Sequence, residues 1–180
     1  MLDVSEQLQR LLHGSDSTYS REELTRKLTR STESGKPLRV KLGMDPTAPD
    51  LTLGHTVVLQ KLRDFQDCGH RAVLIIGDYT AMIGDPSGKS KTRPILTPEQ
   101  VMVNAQTYLA QAGKVIDTRP EKLEIHHNSE WLSPLNFADV IRLAAQVTVA
   151  RMMERDTFAR RLQSGAEVFC HELFYPMMQA

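Results

Sequence analysis

Apolar positions along this chain follow two rhythms, and strands are confined to its first 125 residues. Val4, Leu8, Leu11 and Leu12 recur at helical spacing up to Gly14. Ser20-Arg21-Glu22-Glu23 has the form of a capping box opening a second short helix, with Leu24 and Leu28 on one face. The polar segment Ser31–Lys36 then leads to Pro37, so residues 1–36 are expected to form a helical N-terminal appendage ahead of a main domain over 37–180. Leu38–Leu42 alternates with period two, as a half-buried strand does. Gly43–Thr52 is expected to be a loop. A helix over 53–68 follows, carrying Val57, Val58, Leu62 and Phe65 and closed by Gly69. Ala72–Ile76 is an unbroken apolar run, which suits a central parallel strand covered on both faces. A strand–helix–strand unit of this kind is expected to be right-handed.

Residues 77–97 read as a second long loop, rich in Gly, Pro, Ser and Lys. Thr97-Pro98-Glu99-Gln100 combines a cap residue, proline at the first turn and acidic or amide groups, and starts a helix running to about Gly113. Leu123–Ile125 is the third strand, ending at His126-His127-Asn128. After Trp131 the pattern is helical: 136–146, 148–155, an Asp156-capped 157–163, and 167–178. A doubly wound sheet usually has about five or six strands, so three candidates mark part of a larger α/β domain.

Composition narrows the class without choosing a function. The 180 residues, 41% hydrophobic and 24% charged, are those of an ordinary globular chain. Twenty-two basic and 22 acidic side chains cancel, so no global field attracts nucleic acid or an anionic membrane. Cys68 and Cys170 have no metal-ligand spacing and fit a reducing, cytoplasmic compartment. The first ten residues lack the basic and apolar regions of a secretory signal, and the run Ala72–Gly77 is far too short to span a bilayer. No metal site is expected, because His126 and His127 are adjacent on a strand and point to opposite faces.

Two loops carry the candidate chemistry. In the first, Gly43 permits close backbone approach, Asp45-Pro46-Thr47 is turn chemistry, and Gly54-His55 lies on the first turn of a helix, where orphan N–H groups and the dipole favour an anion. An imidazole there can donate to charge developing on a phosphate. In the second, Gly84-Asp85-Pro86-Ser87-Gly88-Lys89-Ser90 is one residue short of a P-loop, and Arg93-Pro94 breaks any helix after it. What remains is three cations, Lys89, Lys91 and Arg93, beside the carboxylate of Asp85.

Taken together, these loops resemble those of the bacterial tyrosyl-tRNA synthetases, a family of class I aminoacyl-tRNA synthetases. The resemblance covers nearly all of residues 36–180. Pro46–His55 is similar to the "HIGH" region, residues 73–93 to the loop with the substrate-amine carboxylate and transition-state cations, and Asn128–Trp131 and Tyr175–Gln179 to two further blocks. It implies an α/β, Rossmann-like parallel sheet flanked by helices, incomplete at the C-terminus and including the start of the connective helical region. It also implies activation of L-tyrosine by ATP, with Mg2+ and no tightly bound cofactor, and transfer to tRNA(Tyr) by a cytoplasmic homodimer. The dimer contact would lie around 125–160, with Phe137, Ile141 and Val147 as apolar candidates.

Residue by residue, the resemblance gives Thr47 and His55 the ATP phosphates and makes Lys89 and Arg93 close on pyrophosphate. Gly43, Asp45, Pro46 and Gly54 complete the ATP loop. Asp85, Tyr175 and Gln179 would hold the tyrosine ammonium, and Asn128 and Trp131 would shape the pocket wall. Lys41 stands where some members have a phenol-binding tyrosine. Thr52 stands in place of the family's first HIGH histidine; losing such a donor costs on the order of 3 kcal/mol of transition-state stabilisation. The family continues past this chain's last residue with further blocks and anticodon-binding domains, so the chain alone is expected to be inactive. Two other readings compete: a non-catalytic synthetase-like binding module, and a small HxGH-type nucleotidyltransferase, which requires a complete sheet within these residues. Arg151, Arg155, Arg160 and Arg161 are expected to form a solvated basic face, with contact to the tRNA acceptor stem or to an interface as the alternative.

Overall fold

A computed structural model describes residues 2–83 and 96–178. Its elements, in order, are α1 (Val4–Leu12), α2 (Arg21–Ser34), β1 (Arg39–Met44), α3 (Leu53–Asp67), β2 (Arg71–Ile76), α4 (Asp78–Ala81), α5 (Pro98–Ala112), β3 (Leu123–His127), α6 (Ser129–Leu132), α7 (Phe137–Ala144), α8 (Val149–Met153), α9 (Asp156–Gln163) and α10 (Cys170–Met178). The three strands form one sheet in the order β1-β2-β3. Arg71 N–H donates to Leu38 O and, further along, Gly77 N–H donates to Met44 O. Ala72 N–H donates to Lys122 O and Asn128 N–H to Ile76 O. Partner numbers rise together in both pairs, so the sheet is parallel, each crossover containing a helix.

The chain divides into two compact units: Met1–Leu42, Ala48–Ile75 and Gln106–His126 form the first; Gly43–Thr47, Ile76–Ala105 and His127–Ala180 form the second. In the first, Leu11, Leu28 and Cys68 make a buried cluster, with Val4, Leu8, Leu24, Leu38 and Phe65 packed against it. Helix α1 is tied to α3 by polar bonds as well. Lys61 Nζ donates to Leu11 O (3.1 Å) and His13 O (2.6 Å) at the open end of α1, and Arg10 pairs with Asp67 (2.5 Å). His70 is buried and does have partners. Its Nδ1 accepts from Leu38 N–H at 3.2 Å, and its Nε2 lies 2.9 Å from Gln7 Oε1. A main-chain N–H can only donate, so Nδ1 is unprotonated and Nε2–H bonds Gln7. Burial, reinforced by Lys122, pushes the His70 pKa down, in keeping with a neutral ring.

Helix α2 is longer than its polar sequence predicts. It continues through Ser31–Ser34 to Gly35, which takes the left-handed conformation at φ 66° and ends it. Ser31 is buried, and its hydroxyl bonds Lys36 O at 2.5 Å; Ser34 bonds Arg30 O at 2.6 Å. Those hydroxyls satisfy backbone carbonyls locally, and packing of the Leu28 face overrides their low helix propensity. Strand β1 also runs two residues past expectation, through Gly43 and Met44, because Met44 O still has a partner in Gly77 N–H, the residue after β2. Helix α9 begins at Asp156 with Arg155 as its cap residue, one position earlier than predicted.

In the second unit, Arg161 turns inward onto the fully buried carboxylate of Glu172, so it is not part of a solvated basic face. Burial works to raise the Glu172 pKa, but the Arg161 bonds and the Phe169 amide (3.0 Å) outweigh it, and the carboxyl sits below its usual range. Arg151 pairs with Glu154 at the surface.

Candidate functional site

The parallel register brings three chain segments to the carboxyl ends of the strands, where open α/β sheets bind ligands. Asp45 follows β1, Gly77-Asp78 follows β2, and Asn128-Ser129 follows β3. A directional chain of hydrogen bonds joins them within the second unit. Tyr79 N–H donates to Asn128 Oδ1 (2.9 Å), which fixes the amide so that its Nδ2 donates to Thr80 Oγ1 (2.9 Å). The Thr80 hydroxyl then donates to Asp45 Oδ1 (2.8 Å). Tyr175 OH, from α10, donates to the other carboxylate oxygen, Oδ2. Thr80, Asn128 and Tyr175 are buried, at 0%, 3% and 3% exposure, so each polar group has little access to water as an alternative partner.

Gly77 makes room for this arrangement. A Cβ there would lie 1.8 Å from Asp45 Oδ1 and 2.5 Å from Thr80 Oγ1. The neighbouring Asp78 serves a different purpose. Its Oδ1 accepts from Ser129 N–H (2.9 Å) and its Oδ2 from Ser129 OH (2.6 Å), while His127 Nδ1 stands 3.3 Å away. It thereby anchors α6, on which Trp131 is half-buried. A carboxylate that accepts from a hydroxyl on each oxygen, as that of Asp45 does, has the chemistry to recognise a cationic group.

The first unit holds the second constellation. Thr52 is the N-cap residue of α3, with an extended backbone (φ −89°, ψ 166°), and His55 is the third helical residue. Thr52 N–H donates to His55 Nδ1 at 3.0 Å, and the Thr52 hydroxyl is 2.9 Å from the same nitrogen. The ring therefore reaches back to its cap as the third residue of a capping box does. Nδ1 is an acceptor here, so the neutral ring carries its proton on Nε2. The ring of Tyr108, buried on α5, lies 6.1 Å from it at 59°. Helix α3 has no acidic residue in its first turn, which leaves the positive end of its dipole uncompensated. Gly54 is exposed, and among the described residues a Cβ there would touch only Thr52 Oγ1, at 3.5 Å.

The remaining sequence candidates have definite positions. Pro46 is buried, with its carbonyl accepting from Asn104 Nδ2 at 2.9 Å; Thr47 N–H bonds Asp45 O at 2.8 Å in a tight turn. A Cβ at Gly43 would meet nothing within 4 Å among the described residues. Lys41 is exposed on β1, on the strand face that also carries Arg39. Asp85, Lys89, Arg93 and Gln179 lie outside the described residues. Asp45, predicted as part of the ATP loop, shares its carboxylate with Tyr175, a residue predicted for the amino acid. Thr80 and Gly77 were not legible as site residues. Nothing in Gly-Asp-Tyr-Thr distinguishes them until the register sets residue 45 beside residues 77 and 80.

Among the described residues no group of three or more His, Cys, Asp or Glu side chains is placed to hold a metal ion, and no helix is long and apolar enough to cross a membrane.

Comparison with known proteins gives a consistent result. Residues 33–180 match the family model of tRNA synthetases class I (W and Y). The tyrosine–tRNA ligase of Symbiobacterium thermophilum is 58% identical over 178 residues, which is 99% of this chain and 43% of that protein. That of Chlorobaculum tepidum is 56% identical over 176 residues, covering 98% and 43% respectively. Among solved structures, a C-terminally truncated Aspergillus nidulans mitochondrial tyrosyl-tRNA synthetase superposes with a TM-score of 0.76 at 21% identity, over 99% of this chain and 52% of its own. The corresponding Coccidioides posadasii enzyme gives 0.73 at 25% identity, over 97% and 48%. The chain thus spans about 43% of the length of the curated relatives it matches.

Proposed function

The chain belongs to the class I tRNA synthetases of the W and Y group, and from that premise we propose that it is the part of a tyrosine–tRNA ligase that binds and activates the amino acid. The observation that carries the reading is identity of 52–58% to ligases named for tyrosine, over almost the whole of this chain. The family model alone serves tryptophan equally.

In a protein of the relatives' length, the carboxylate of L-tyrosine attacks the α-phosphorus of ATP. The α–β phosphoanhydride bond breaks, pyrophosphate leaves, and the tyrosyl-adenylate then esterifies tRNA(Tyr). Mg2+ arrives with the triphosphate as part of the substrate. Such a displacement asks the protein for position and charge rather than for covalent chemistry. His55 presents Nε2–H to the phosphates from the start of α3, and Thr47, Gly43, Pro46 and Gly54 are assigned to ATP as well. Lys89 and Arg93 are assigned to pyrophosphate. Tyr175 and Asn128, with Asp85, Gln179 and Trp131, are assigned to the tyrosine end, and the Asp45 carboxylate joins that group. Lys41 is assigned to the neighbourhood of the phenol.

The non-catalytic reading rests on Thr52 and on the family blocks beyond this chain; of these, the Thr52 amide and hydroxyl both bond the His55 ring, a role a catalytic site can use. The nucleotidyltransferase reading requires a complete sheet, and the described residues contribute three strands. A cytoplasmic homodimer is part of the proposal. Phe137 and Ile141, four apart on α7, are 80% and 50% exposed, and Val147 is half-buried, which gives that surface an apolar face to cover.

The test is charging of tRNA(Tyr) with labelled tyrosine by a protein of the relatives' length containing this chain. Esterification of tyrosine, with tryptophan unable to compete, is expected. Esterification of tryptophan, or of neither amino acid, overturns the proposal.

A further inference from the structure

Helix α5 supplies hydrogen-bond partners to the loop that precedes α3. Within the first unit, Gln111 Oε1 accepts from Leu51 N–H at 2.8 Å, while its Nε2 donates to Pro49 O at 3.1 Å and to the Asp50 carboxylate at 3.2 Å. Thr107, one turn earlier on the same face of α5, donates its hydroxyl to Pro49 O at 2.6 Å. Tyr108, beside it, is the ring packed near His55. Ala48, Pro49 and Asp50 are exposed, so without these bonds water would compete for each of the loop's polar groups.

We propose that Gln111, assisted by Thr107, is a positioning residue for the nucleotide: it fixes the Pro49–Leu51 backbone so that Thr52 caps α3 and presents His55 with Nε2–H outward. This rests on the ATP reading of His55 given above. The causal path is short. Gln111 holds the Leu51 amide, the next amide along the chain is that of Thr52, and that amide bonds His55 Nδ1. The carboxamide is suited to the task because it matches a backbone donor with an acceptor and a backbone carbonyl with a donor at once. A leucine of similar size can do neither. A glutamate keeps the acceptor for Leu51 N–H but sets a negative charge against Pro49 O and Asp50.

The test uses Gln111→Leu, Gln111→Glu and the nearly isosteric Thr107→Val, in two settings. In the 180-residue chain, amide hydrogen exchange at Leu51 and Thr52 is measured together with thermal unfolding. In a protein of the relatives' length, KM for ATP, KM for tyrosine and kcat are measured by pyrophosphate exchange. Gln111→Leu is expected to speed amide exchange at both residues and to lower kcat/KM for ATP by about tenfold, leaving KM for tyrosine within about twofold. Gln111→Glu should retain protection at Leu51 more than the leucine variant does, and Thr107→Val should act in the same direction but less. Unchanged amide exchange in folded Gln111→Leu or, should that variant not fold, in Thr107→Val overturns the proposal. So does a parallel loss of ATP and tyrosine affinity that tracks thermal stability, which would mark a merely structural role. A parent protein without tyrosine-dependent exchange refutes the ATP reading, and nucleotide positioning with it; the hydrogen-exchange result then decides separately whether Gln111 fixes the loop.

Discussion

At the scale of single residues, Gly77 is the position where the least change should do the most harm. Its φ of −81° is open to any residue, so the constraint is not backbone conformation but the Asp45 carboxylate. A methyl group at 1.8 Å from Oδ1 must displace that carboxylate or the strand end that carries it. Gly77→Ala is expected to lower stability by about 3 kcal/mol, seen as a lower midpoint in urea unfolding of the chain. A midpoint equal to that of the parent would mean that Asp45 is not held where described. Thr52 gives a second prediction at this scale. Thr52→Val removes the hydroxyl from His55 Nδ1 but keeps the amide bond, so tyrosine-dependent pyrophosphate exchange in a protein of the relatives' length should fall only about threefold. Thr52→Pro removes that amide donor and should cost an order of magnitude more. Equal effects of the two substitutions would contradict the assigned division between hydroxyl and amide.

Two elements depend on buried ionisable groups, and pH separates them. The His70 link joins the chain before β1 to α1 through Leu38 N–H and Gln7, and needs a neutral ring. Its pKa in the folded chain is below the usual 6.5, so the unfolded chain binds a proton first as pH falls. The stability this group contributes is therefore complete above pH 6.5 and is lost as pH drops toward its folded pKa. Urea unfolding between pH 7.5 and 5.5 should show that loss, and His70→Gln should remove most of the slope. Glu172 titrates lower: its depressed pKa contributes stability above the usual 4.5 that is lost only beneath it. Glu172→Gln leaves Arg161 facing an uncharged partner in a buried setting and is expected to cost about 3 kcal/mol, measured by the same unfolding at neutral pH.

Elements were legible in the sequence where one periodicity ran unopposed. Ala72–Ile76 suits a strand covered on both faces and is one, and Thr97-Pro98 announces α5, where Thr97 and Gln100 do bond reciprocally (3.0 and 3.3 Å). Ser31–Ser34 was misread because hydroxyl-to-carbonyl bonds and the buried Leu28 face outweigh propensity there. The end of β1 was misread because strand length depends on the neighbouring strand, which a local pattern does not contain.

For the molecule as a whole, the same limit explains which of the two constellations could be foreseen. The His55 constellation is local: cap, first turn and loop lie within a few residues, and motif reading finds them. The Asp45 constellation is not. Asp45 meets Thr80 and Tyr175 across 35 and 130 positions of sequence, and only the parallel register and the placement of α10 bring them together. The most direct test of the whole account is tyrosine-dependent ATP–pyrophosphate exchange by a protein of the relatives' length, compared with its His55→Ala variant. The account predicts exchange driven by tyrosine and not by tryptophan, falling at least about a hundredfold in the variant with KM for tyrosine unchanged. Exchange that tryptophan supports equally, or that survives the loss of His55, would contradict it.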